Sequence, residues 1–140
     1  MTSRFAPLAL ALIVGGVLSG CAPAQSKSEA CDLFSSADLA LVEAITNSSG
    51  SLIDDPATAR DDLDAAVTTF EKDVSTISHG DVKKAVDAMT AALKDFNGEF
   101  ANAAKATEEN PESVDNSMLS KSLSAAEQAE ANVAQVCNSA

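Results

Sequence analysis

Residues 82–103 read VKKAVDAMTAALKDFNGEFANA. Within them Val82, Val86, Met89, Leu93, Phe96, Phe100 and Ala103 follow one another by alternating steps of 4 and 3. An α-helix repeats every 3.6 residues, so these steps set one apolar stripe along one face over three heptads. Asn97-Gly98 interrupts the run, and a helix-interior Gly costs roughly 1 kcal/mol. The stripe resumes at Phe100 and Ala103, which favours a continuous helix over one that stops at Phe96.

Working outward, the same logic recurs on both sides. Residues 78–81, SHGD, punctuate the chain: Gly80 is suited to a left-handed cap and Asp81 to capping the helix that follows. Before them Leu63, Val67, Phe70, Val74 and Ile77 form a second stripe, again in steps of 4 and 3. Asp55-Pro56 marks its start, because a carboxylate accepts from free helix N–H groups and Pro at the first position gives up nothing. A first helix carries Phe34, Ala37, Leu41, Ala44, Ile45 and Ser48, with Asp32 near its start, and residues 49–56, SGSLIDDP, break it. Asn110-Pro111 repeats the Asp-Pro signal and is expected to open a fourth helix bearing Met118, Leu119, Leu123, Ala126, Ala129, Val133 and Val136.

Trp and Tyr are absent, and alanine is abundant. Such a composition favours closely packed helices over sheets, which draw on aromatic and β-branched residues. Four amphipathic segments with short connections predict an all-α fold: an antiparallel up-down four-helix bundle over residues 31–140.

The N-terminus has a different character. Met1–Arg4 carries one positive charge, and FAPLALALIVGGVL follows, an apolar run shorter than the roughly 20 residues of a membrane span. Leu18-Ser19-Gly20-Cys21 then resembles the lipobox of bacterial lipoproteins: an aliphatic residue, two small residues and the acceptor cysteine. The resemblance covers residues 1–21 alone. It implies a signal peptide over 1–20, diacylglycerol and further acyl chains such as palmitate on Cys21, and a mature chain on the extracytoplasmic face of the cell membrane. Each buried CH2 contributes about 0.8 kcal/mol, so two or three chains anchor durably. Residues 21–30, with APAQSKSE, read as a flexible tether.

With Cys21 acylated, Cys31 and Cys137 remain, in a compartment where disulfides persist. A bond between them is the favoured reading; two free buried thiols are the alternative. In the up-down arrangement both fall at the same end of the bundle, so the bridge would close it without distortion.

The whole chain carries 9 basic and 21 acidic side chains. Removal of residues 1–20 takes Arg4 and no acid, leaving a formal charge of −13. That charge repels nucleic acid and anionic lipid headgroups, so neither is an expected partner.

Catalytic patterns are scarce. His79, the lone histidine, falls in a turn with no ligand near it in sequence, and a haem pairing with Met89 or Met118 lacks a C-x-x-C-H motif. Asp54, Asp55, Asp61, Asp62 and Asp64 have the wrong spacing for a Ca2+ loop, and helix-start acids answer to the helix dipole. Glu127 with Glu130, and Glu108 with Glu109, supply paired carboxylates but no histidine for a di-metal site. No nucleophile elbow or phosphate loop is present. No enzyme activity, cofactor or metal is expected.

Surface recognition remains. The two longest polar connections, residues 47–56 and 105–113, hold the candidate binding residues Ile53, Asp54, Asp55, Glu108 and Glu109. Ordinary solvated turns are the competing account of both. The expected function is a small binding or protein-interaction lipoprotein with a protein partner in the envelope. A structural or protective lipoprotein, such as a phage-encoded exclusion factor, is the alternative, and an enzyme accessory subunit is a third.

Overall fold

The computed structural model describes residues 24–110 and 116–139. Residues 1–20, read above as a signal peptide, lie outside the described residues, as do Cys21 and Pro111. Four helices follow in order: α1 Lys27–Ser51, α2 Pro56–Val74, α3 Gly80–Glu109 and α4 Ser117–Asn138. Among the described residues there is no strand.

Helix α3 is continuous through Asn97-Gly98, and all seven stripe residues are buried. Packing of Phe96 and Phe100, whose ring centroids lie 6.0 Å apart, outweighs the propensity cost of the intervening glycine. Leu63, Val67, Phe70 and Val74 of α2 are also buried, and Ile77 is buried in the turn beyond the end of that helix. Phe70 meets Phe34 of α1 edge-on, with centroids 6.4 Å apart.

Local chemistry explains where α2 begins. Asp55 accepts a hydrogen bond from the backbone N–H of Thr58 at 3.2 Å, and Pro56 is the first helical residue.

Four further boundaries differ from the sequence reading. Helix α1 starts at Lys27, so Lys27–Ala30, assigned above to the tether, form its first turn. Ser26 and Glu29 make a reciprocal capping box there, and Ala30 packs in the core. At the other end α1 runs through Gly50 to Ser51, whose hydroxyl donates to the carbonyl of Asn47 at 3.1 Å, and Leu52 just beyond packs against the core. Gly80 has no left-handed conformation; it is the first residue of α3, with His79 at the N-cap and Asp81 in the first turn. Asn110 closes α3 instead of opening α4, its N–H donating to the carbonyl of Ala106 at 2.8 Å, and α4 begins at Ser117.

The helices pair unequally. The most extensive packing is α3 on α4, then α1 on α2, then α2 on α3; α1 meets α4 least. Cys31 and Cys137 form a disulfide with Cα atoms 5.8 Å apart, across a sequence separation of 106. Lys27 Nζ donates to the carbonyl of Ser139, and Gln25 Oε1 accepts from the backbone N–H of Ser78 at 2.6 Å and of His79 at 3.2 Å. The start of α1, the turn between α2 and α3, and the end of α4 thus meet at one place.

Candidate functional site

Two regions bring polar side chains together outside the core. The first gathers the predicted connections. Ile53 is 79% exposed, and Asp54, Asp55, Glu108 and Glu109 are all exposed. Asp55 is committed to capping α2. Arg60, in the second turn of α2, is held more firmly protonated by its hydrogen bond and ion pair with Asp61, 2.8 Å away, with a smaller contribution from Glu108. The field of Glu108 therefore reaches the start of α2, and the end of α3 lies near the first connection. The sequence separates these segments by more than the whole of α2; packing of α2 on α3 brings them together.

The second region was not singled out by sequence. Between α1 and α4, next to the disulfide, lies a groove of about 610 Å3. Phe34, Ala134 and the Cys31–Cys137 bridge contribute to its lining, and Asp38 of α1 and Glu130 of α4 stand across it. Asp38 is half-buried, and its Oδ1 is shut from water without a hydrogen-bond donor. Burial first, and the charge of Glu130 second, push its carboxyl up to about 6. Glu130, read from sequence as a partner of Glu127, instead faces a carboxylate on another helix. Asp38 gave no sequence signal, because a single acid on a helix usually means solvent.

Other candidates do not converge. His79 Nδ1 is buried without a hydrogen-bond partner. Among the described residues no three His, Cys, Asp or Glu side chains gather as a metal site. Asp61 is engaged with Arg60, and Asp64 accepts from the Asn97 side-chain amide at 2.8 Å. Met89 is core, and Met118 is 52% exposed at the start of α4. Among the described residues no helix is long and apolar enough to cross a membrane. No protein-family model, curated protein or solved structure matches this chain.

Proposed function

We propose that the protein is a lipid-anchored envelope lipoprotein, acylated on Cys21, that serves as a small protein-binding module and performs no catalysis. The observation that carries the reading is Leu18-Ser19-Gly20-Cys21 directly after an apolar run at the N-terminus. The bond between Cys31 and Cys137 adds support: it uses the two other cysteines and leaves Cys21 as the odd thiol.

The helices are read as an antiparallel up-down bundle. Asp64 with Asn97, and Glu71 with Lys94 at 2.8 Å, support opposite directions for α2 and α3, since one partner number rises as the other falls. Cys31 with Cys137 and Asp38 facing Glu130 support the same for α1 and α4. The tether then enters at the disulfide end. The connections with Ile53, Asp54, Asp55, Glu108 and Glu109 stand at the far end, about 30 Å away for a helix of roughly 20 residues. Loops held out by a rigid scaffold suit recognition of a protein partner in the envelope.

Cys21→Ser tests the anchor. The variant should accumulate as an unprocessed precursor or leave the membrane fraction; membrane-bound protein at mature mass refutes lipidation. For the site, Ile53→Ser with Glu108→Gln and Glu109→Gln should keep stability within ~1 kcal/mol, as exposed substitutions do. The same triple variant should weaken partner crosslinking in native membranes. Undiminished crosslinking moves the site off these connections.

A further inference from the structure

The groove between α1 and α4 is a surface with unfinished chemistry. The disulfide pins the two helices at one end, yet they otherwise touch less than any other neighbouring pair. We infer that this seam is a docking groove for a basic, apolar-faced helix of another protein, whose cations enter between Asp38 and Glu130. The inference is independent of the lipid anchor and of the far-end connections.

Helical register continues both walls beyond the residues that line the groove. From Asp38 the same flank of α1 continues one turn on at Val42, then at Ile45 and Ser49. Val42 is 45% exposed, and Leu39, on its outer edge, is 71% exposed. From Glu130 the facing flank of α4 runs back through Glu127 to Leu123, which is half-buried. Each wall thus carries acid near the disulfide and apolar side chains farther along. The stretch from Asp38 to the end of α1 at Ser51 is about 20 Å of helix, long enough to seat a partner helix of roughly 13 residues. A third helix lying along two others, anchored at i, i+3, i+4 and i+7, matches such a trough.

Charge selects the occupant. The charged residues lining the groove are Lys27, Asp32 and Asp38 from α1 and Glu130 from α4; α2 and α3 add none. The Lys27 ammonium donates to Ser139, and among the described residues no other cation lines the groove beside the two facing carboxylates. A Lys or Arg from outside would supply the donor that Asp38 Oδ1 lacks and remove the repulsion across the seam. A second copy of this chain, with a formal charge of −12, brings the wrong sign. Because the carboxyl of Asp38 titrates near 6, capture of such a helix should weaken as pH falls through that value.

The test titrates the full chain in nonionic detergent with a synthetic 16-residue helical peptide, Lys on one face and Leu on the other. Protein-free detergent is the blank. We expect saturable 1:1 binding at pH 7.5, weakened tenfold or more by Asp38→Asn with Glu130→Gln, and severalfold by Val42→Ser. The control Asp62→Asn with Asp95→Asn removes the same charge from α2 and α3 and should change affinity less than twofold. Lowering the pH to 5 should weaken wild type far more than the Asp38→Asn variant. Equal losses in groove and control variants would reduce the effect to bulk charge and overturn the proposal. Absence of saturable binding overturns it too, as does a linear polyamine displacing the peptide at equal concentration. If the double carboxylate variant fails to fold, Val42→Ser with the pH comparison decides: an affinity unmoved by both sinks the groove.

Discussion

Helices α3 and α4 pack on each other more extensively than any other pair, yet they are held in opposite ways. Helix α3 buries ten residues, among them Phe96, Phe100, Leu93 and Met89. Helix α4 buries only Ala126 and Val133, with Leu119, Leu123, Ala129 and Val136 partly covered. Close approach through small side chains gives backbone proximity but little apolar area, and apolar area is what stabilises. The central helices α2 and α3, with the inner face of α1, thus form a core that stands on side-chain burial. Helix α4 lies against it as a flank, and the disulfide to α1 supplies what burial does not. Within one small domain, proximity and stability are separate quantities.

The largest effect expected from this contrast is loss of the bridge. Closing a loop of this length contributes about 4–5 kcal/mol in the chain-entropy model. Cys31→Ser and Cys137→Ser should each destabilise by similar amounts in denaturant titration, and the double variant by little more. Additive losses would mean that the two sulfurs act separately.

Next come the cores of the two helices. Leu93→Ala or Phe96→Ala should cost roughly 2–5 kcal/mol, while Val133→Ala in α4 should cost about 1 kcal/mol. Comparable losses in both would erase the distinction between core and flank.

A smaller change should be stabilising. Ser48 is 2% exposed, and its hydroxyl has no hydrogen-bond partner. Ser48→Ala removes an unpaired buried polar group and should raise stability by roughly 1 kcal/mol. A loss on the same scale would show that the hydroxyl is satisfied.

The smallest concerns the seam. Asp38 binds its proton more tightly in the folded chain than the ordinary value of 3.8 allows, so its contribution is full below about 4 and fades as pH rises to about 6. Solvent screening at this half-exposed site limits the effect to about 0.5–1 kcal/mol. Relative to wild type, Asp38→Asn should gain stability across pH 4–6 and hold that gain at pH 7. A pH-independent difference would remove Asp38 from the account.

The core was legible in the sequence, and the flank was not. The 4-and-3 spacing of Val82 to Ala103 and of Leu63 to Ile77 survives because burial enforces periodicity residue by residue. Asp55-Pro56 was legible because capping is local chemistry. Asn110-Pro111 misled, since a Pro just beyond a helix end and a Pro at a helix start look alike in sequence. Met118 to Val136 reads as a full stripe, although α4 has one packed neighbour and buries only part of it. The facing of Asp38 and Glu130 depends wholly on how α1 and α4 meet, so no local pattern could carry it. The candidate residues Ile53, Asp54, Asp55, Glu108 and Glu109 were legible as exposed positions, which is less than being legible as a site.

Hydrogen exchange of backbone amides, read helix by helix with the disulfide intact and after reduction, tests the division between core and flank most directly. On reduction the amides of α4 and the first turns of α1 should lose protection, while α2 and the stripe-bearing turns of α3 keep theirs. Equal loss of protection across all four helices would contradict the account, because α4 would then belong to the same cooperative core as α3.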